Sequence, residues 1–178
     1  YWCFSFNGNI LTIKLTYENC LYFNKYYNCD VKIIRPFNVF GPLMDKNDYR
    51  IIPNIIKKIN SKKKILIHGD GKQTRTFCYI TDAVTGFFKV IFRNNNNLIY
   101  NIGNPYNEIN MINLVKCFDK ILNKKNKFSL ISYPDHYPAD EPRRRCPNIG
   151  LARKDLKYIP KVSIEDGVKR VLKFNKII

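Results

Sequence analysis

The sequence predicts an α/β protein, and three observations carry that reading. Short runs of β-branched and aromatic residues alternate with helical patterns through most of the chain. No linker is long enough to divide the alternation into separate units. One segment sets Val84, Phe87, Phe88, Ile91 and Phe92 at helical spacing, an apolar stripe that belongs to a packing helix. The 178 residues are 45% apolar and 14% aromatic, which is globular composition and enough for one core.

In chain order, residues 15–27 carry Leu, Tyr, Cys and Phe between polar residues and read as an amphipathic helix ending near Asn28. Residues 31–34 read as a buried strand halted by Pro36, with Gly41 and Pro42 marking the loop beyond. A helix is expected over 53–59, a strand over 65–67, a tight turn over 69–71 and a β-rich stretch over 76–80. The striped helix is expected to start with Thr81 or Asp82 as its N-cap. A strand over 98–102, a helix through Met111, Leu114, Val115, Phe118 and Leu122, and a strand over 128–131 follow. Ser163-Ile164-Glu165-Asp166 opens the last helix with a capping-box pattern.

The formal charge of +17 raises the possibility of a polyanion or an acidic membrane surface. The lysines are scattered and interleaved with asparagine, so the expectation is solvated faces with no nucleic acid and no membrane partner; a polyanion-binding protein would need its lysines gathered on one face. No apolar run approaches the roughly 20 residues that cross a bilayer. The six cysteines form no CxxC pair, and four sit in apolar patterns, which predicts free thiols, no metal site and a cytoplasmic, reducing compartment. The chain opens on Tyr1 rather than Met, which reads as a truncation.

Two phosphate-binding signatures fail. The segment His68-Gly69-Asp70-Gly71-Lys72-Gln73 has Leu66 where a P-loop needs its first Gly and Gln73 where it needs Ser or Thr. No GxGxxG follows a strand, so nothing seats a dinucleotide pyrophosphate on a helix N-terminus.

Five segments stand out together: Arg35-Pro36-Phe37-Asn38-Val39-Phe40-Gly41-Pro42, then ILIHGDGKQTRTFCYITD over 65–82, YNIGNPYNE over 100–108, DEPRRRCPN over 140–148, and the tail 160–167. In this order they resemble the extended short-chain dehydrogenase/reductase family in its nucleotide-sugar epimerase/dehydratase branch. The resemblance covers most of the chain and is nearest in look to UDP-glucuronate decarboxylases. It implies the C-terminal part of a Rossmann-type enzyme with its sugar-nucleotide-binding subdomain, the N-terminal dinucleotide-binding part being missing. The chain is then a single partial domain over 1–178: residues 1–42 are a remnant of the Rossmann part, the first dozen of doubtful origin, and 43–178 are mainly the substrate-binding subdomain.

The resemblance further implies NAD as cofactor, a nucleoside diphosphate-sugar as substrate, UDP-sugars first, and a homodimer of the full-length protein paired through the helix at 15–27. Arg75 and Arg145 match positions that grip the diphosphate, a role suited to guanidinium forks; the alternative is pairing with a carboxylate such as Asp140 or Glu141. Asn38 matches a phosphate-facing asparagine, or is simply a turn residue. Asn107 and Asn148 match ribose-contacting positions, Asn148 standing where relatives carry Asp. His68 matches a ring near the base, and packing is its alternative. Counting back from Arg35 places the lysine of the family's Tyr-x-x-x-Lys motif at Lys14, the one candidate catalytic residue, and its tyrosine at Ile10. Isoleucine transfers no proton, so either the first dozen residues are not homologous or the chain is a noncatalytic sugar-nucleotide-binding or subunit-association module.

Overall fold

The computed structural model describes residues 10–28, 31–45, 48, 50–93, 99–133 and 142–178, with side chains from residue 17 onward. The elements are α1 (Ile10–Tyr27), β1 (Ile33–Pro36), β2 (Val39–Phe40), α2 (Ile51–Asn60), β3 (Ile65–His68), β4 (Thr74–Thr76), β5 (Cys78–Tyr79), α3 (Ile80–Ile91), β6 (Ile99–Ile102), a 3-10 turn (Pro105–Asn107), β7 (Glu108–Asn110), α4 (Met111–Leu122), β8 (Phe128–Ile131), β9 (Arg144–Arg145), α5 (Gly150–Leu156) and α6 (Ile164–Phe174).

Pairing is mostly parallel, as expected where helices form the crossovers. β1 pairs with β6 from Ile33↔Ile99 to Pro36↔Ile102, and β3 with β8 from Ile65↔Phe128 to His68↔Ile131. β2 pairs with β5, and β4 lies between antiparallel β7 and parallel β9. Two cores result. α2, α4 and α6 bury Ile55, Leu114, Phe118, Val168 and Leu172 with Ile65 and Ile67 of β3, while Val90, Tyr100, Ile102, Ala152, Leu156 and Tyr158 pack around the β1–β6 sheet. Residues 99–102 and 149–158 therefore return to the β1 side of the molecule, across the boundary expected at residue 42.

The turn after β3 is built on glycine for a reason. Gly69 and Gly71 both hold φ of +69°, where a side chain is strained. The Gly71 carbonyl accepts from Met111 N at 3.1 Å and Ile112 N at 3.3 Å, seating α4 on the turn.

Three expectations are corrected. β1 is shifted two residues to Ile33–Pro36, because Pro36, which lacks an N–H, sits last in the strand and Phe37 N makes the next ladder bond to Ile102 O at 2.9 Å. α3 starts at Ile80 with no side-chain cap; Asp82 is instead 8% exposed and accepts Lys161 N and Val162 N at 2.9 and 2.8 Å, tying down the approach to α6. Most of the stripe on α3 does not face a core: Val84, Phe88, Ile91 and Phe92 are 38%, 54%, 59% and 78% exposed, while Phe87 packs against the second core. The buried face is Ala83, Gly86 and Val90, since only small residues let α3 approach the sheet; a Cβ on Gly86 would lie 2.6 Å from Ile102 Cγ2.

The capping prediction holds at α6, where Ser163 Oγ accepts from Asp166 N at 3.1 Å. Among the described residues the cysteines are free: Cys78 and Cys117 are buried, Cys20 and Cys146 half-buried, and Cys3 and Cys29 lie outside the described residues. No described helix is long and apolar enough to cross a membrane, and no described group of side chains could hold a metal ion.

Candidate functional site

Parallel strands end together, so β1 and β6 deliver their carboxyl ends to one edge, the usual place for a ligand in an α/β sheet. A cleft of about 380 Å³ lies there, lined by Arg35, Pro36, Phe37, Asn38, Asn101, Pro142 and Arg145. Arg35 and Asn101 are register partners on the two strands. Both belong to segments quoted above, yet neither was singled out; the signal was there, since each is a polar residue at the carboxyl end of a strand.

Asn38 lines the cleft from the β1–β2 turn. It adopts φ of +41°, a left-handed geometry asparagine tolerates. Its Nδ2 donates to Thr76 O at 2.8 Å and its carbonyl accepts from Cys78 N at 3.2 Å, so the β4–β5 segment fixes the side chain. Its Oδ1 has no partner among the described residues, which leaves an acceptor and one N–H for a ligand.

Arg145 enters on β9, opposite Arg75 in the parallel β4–β9 register. Two residues 70 positions apart are thus brought side by side, at a strand spacing of about 4.8 Å. Arg145 lines the cleft. Arg75 stands beside it rather than on the lining, its Nη1 donating to Thr74 O at 2.8 Å and Arg143 O at 3.4 Å. The other two arginines of the run are turned to carboxylates. Arg143 Nη2 meets Asp70 at 2.7 Å, and Arg144 forks onto Glu108 through Nε at 2.8 Å and Nη2 at 2.7 Å. The Arg144 fork, then the Thr74 hydroxyl, hold Glu108 below the usual carboxylate range; the Arg143 bond, then Lys72 N, do the same for Asp70. Asp140 and Glu141, the alternative partners for Arg145, lie outside the described residues.

The remaining predicted residues sit off the lining. Asn148 is one bond away, its carbonyl accepting from Asn101 Nδ2 at 3.0 Å and its Oδ1 from Gly150 N at 2.8 Å. His68 closes β3, its Nδ1 3.2 Å from Ser132 O and its ring stacked on Tyr133 at 5.7 Å. Asn107 is 7% exposed and spends its amide on the backbone: Nδ2 donates to Phe77 O at 3.0 Å and Val162 O at 2.9 Å, and Oδ1 accepts from Ile164 N at 3.1 Å. Lys14 falls in α1, where its side chain lies outside the described ones.

Residues 14–103 match the NAD dependent epimerase/dehydratase family. The chain belongs to that family. UDP-glucuronic acid decarboxylase 1 of Arabidopsis thaliana is 32% identical over 143 residues, covering 80% of this chain and 32% of the relative. The protein of the same name from Xenopus tropicalis is 29% identical over 155 residues, 87% of this chain and 35% of the relative. Among solved structures, UDP-glucuronic acid 4-epimerase from Bacillus cereus, in complex with UDP-glucuronic acid and NAD, is 28% identical with a TM-score of 0.81, over 93% of this chain and 52% of that one. This epimerase/dehydratase chain thus spans about a third of those two decarboxylases and about half of that epimerase. The α/β architecture with parallel sheets, expected from the sequence, is the architecture of these Rossmann-type relatives.

Proposed function

We propose that this chain is the sugar-nucleotide-binding portion of an NAD-dependent nucleotide-sugar epimerase, dehydratase or decarboxylase, with UDP-glucuronate decarboxylase-like substrate choice. The observation that carries the reading is the Arg75↔Arg145 register beside a cleft lined by Arg145 and Asn38. A diphosphate offers paired anionic oxygens, which planar guanidiniums match with short, charge-assisted hydrogen bonds. The similarity to UDP-glucuronic acid decarboxylases, and to an epimerase crystallised with UDP-glucuronic acid and NAD, supports a UDP-sugar as the ligand. In this proposal Arg145 contacts the diphosphate, Arg75 adds its charge from the neighbouring strand, Asn38 bonds a phosphate or sugar oxygen, and Asn148 acts through Asn101.

NAD supplies hydride transfer in this chemistry. Among the described residues no strand passes through a glycine-rich turn into a helix N-terminus, so they do not fit the dinucleotide. What they can do is bind and orient the sugar nucleotide. The exposed rings Tyr22, Phe23, Tyr26 and Tyr27 on α1 support pairing of two copies through that helix.

Calorimetric titration with UDP tests the proposal. The chain should bind UDP, and Arg145→Ala should weaken binding about tenfold to a hundredfold, the loss of one charge-assisted bond of about 1.5 to 3 kcal/mol. Unchanged UDP affinity in the variant would refute the site.

A further inference from the structure

The lysines that look scattered in the sequence are not scattered in space. Five fall within residues 57–64 and three within 124–127. The first run closes α2 and leads into β3; the second leads into β8. Because β3 and β8 are parallel with Ile65 opposite Phe128, both runs enter the sheet at the same end, and Ile65 N donates to Lys127 O at 2.9 Å. Lys63 N bonds Lys58 O at 2.9 Å, which folds the end of α2 back against the strand entry.

Eight ammonium groups therefore share one end of the molecule, all but Lys58 on exposed residues. Neither run contains an acidic residue, and none of these lysines makes an ion pair with a described carboxylate. The nearest acid in sequence, Asp119, accepts from Asn126 N at 3.0 Å and Nδ2 at 2.7 Å, so one carboxylate stands at the second run against the eight lysines. This end is opposite to the carboxyl end of β3, where His68 and the glycine turn lie. Like charges gathered within a Debye length of about 8–10 Å raise a local positive potential that a polyanion relieves.

We propose that this basic end binds the phosphate backbone of single-stranded nucleic acid, with Phe128 as a stacking ring. Phe128 directly follows Lys127, lies opposite Ile65, which follows Lys64, and is 39% exposed, so a part-exposed ring sits where both runs enter the sheet, the combination of charge and aromatic that single-strand binders use. An anionic bilayer is the other polyanion to consider. It wants an amphipathic helix with large apolar residues free to enter the interface, whereas α2 spends Ile52 and Ile55 on the core.

The test is fluorescence anisotropy of the whole 178-residue chain with a labelled 20-nucleotide oligouridylate, across salt concentrations. With about five phosphates engaged, log affinity should fall against log salt with a slope near −3.5, roughly a hundredfold loss from 50 to 200 mM. The triple variant Lys63→Gln, Lys64→Gln, Lys125→Gln should make that slope shallower by about 2. A control removing the same charge elsewhere, Lys154→Gln, Lys169→Gln, Lys173→Gln, should leave it unchanged. Phe128→Leu should weaken binding fivefold or more. Equal losses in the two triple variants would overturn the proposal, as would an unaffected Phe128→Leu. So would the absence of saturable binding below about 100 μM at 50 mM salt, or tighter binding to phosphatidylcholine vesicles with 30% phosphatidylserine than to the oligonucleotide.

Discussion

Replacing Asn107 by alanine separates a structural asparagine from a ligand contact. The side chain is 7% exposed and makes three hydrogen bonds, to Phe77 O, Val162 O and Ile164 N. Val162 O keeps a second donor, Asn104 Nδ2 at 3.1 Å, so truncation orphans two groups rather than three. An orphaned buried polar group costs about 1–3 kcal/mol. Ile164 N, half-buried at the start of α6, is within reach of water and falls at the low end, giving about 2–4 kcal/mol in total. For a chain of this size each kcal/mol moves Tm by about 2–4 °C, so Asn107→Ala should melt roughly 5–15 °C below the parent protein. Thermal unfolding followed by circular dichroism measures this, and a UDP titration well below the transition should show affinity within about threefold of the parent. A Tm within 2 °C of the parent together with a tenfold loss of UDP affinity would refute the reasoning and make Asn107 a ribose contact.

Gly86→Ala should destabilise by about 1–3 kcal/mol in a urea melt, because the new Cβ would sit 2.6 Å from Ile102 Cγ2 and 3.0 Å from the Tyr158 ring. Glu108 is held below the ordinary carboxylate range by Arg144, so the pairing contributes stability above the unfolded value of about 4.3 and loses it as pH falls through the folded value. Arg144→Ala should consequently be less stable than the parent at pH 6, and the gap should close toward pH 3. Burial pushes the Cys78 thiol up to about 12 and Cys117 up to about 11; at pH 8 iodoacetamide should label neither in the native chain and both in concentrated urea, as read by peptide mass spectrometry.

Local signals were legible where local physics decides. The paired glycines at 69 and 71, the Ser163 cap and the order of strands and helices all follow from φ preference, capping and periodicity, and all stand in the structure. The α3 stripe misled because periodicity reports that a helix has an apolar face, not which face is covered. Ala83 and Gly86 look weak on any hydropathy scale, yet their small size sets the contact with β6. Asp82 looked like a cap because capping is a local pattern, whereas its bonds to Lys161 and Val162 span 79 and 80 positions. Asn38 and Arg145, expected from their motifs, both line the cleft. Arg35 and Asn101 carry a sequence signal as polar residues near strand ends, but only the β1–β6 register places them side by side at the cleft. The lysine runs were legible as composition and not as a surface, since only the β3–β8 pairing joins them.

The arrangement of the three consecutive arginines explains how a strand of two residues can present Arg145 to the cleft. β9 is Arg144–Arg145 alone, too short to hold its register by backbone pairing. Its neighbours in sequence supply the anchorage: Thr74 N donates to Arg143 O at 2.8 Å, Arg143 reaches Asp70, and Arg144 forks onto Glu108, which also accepts the Thr74 hydroxyl at 2.7 Å. Since successive side chains of a strand point to opposite faces, locking Arg144 over Glu108 on β7 directs Arg145 to the other side of the β7–β4–β9 sheet. That is the side on which Arg75, its register partner, also lies. Arg144 is thus held on the face that carries Glu108, and Arg75 and Arg145 share the other. A surface ion pair contributes little to stability; the Arg144–Glu108 fork is worth more as a device that orients the next residue than as a bond.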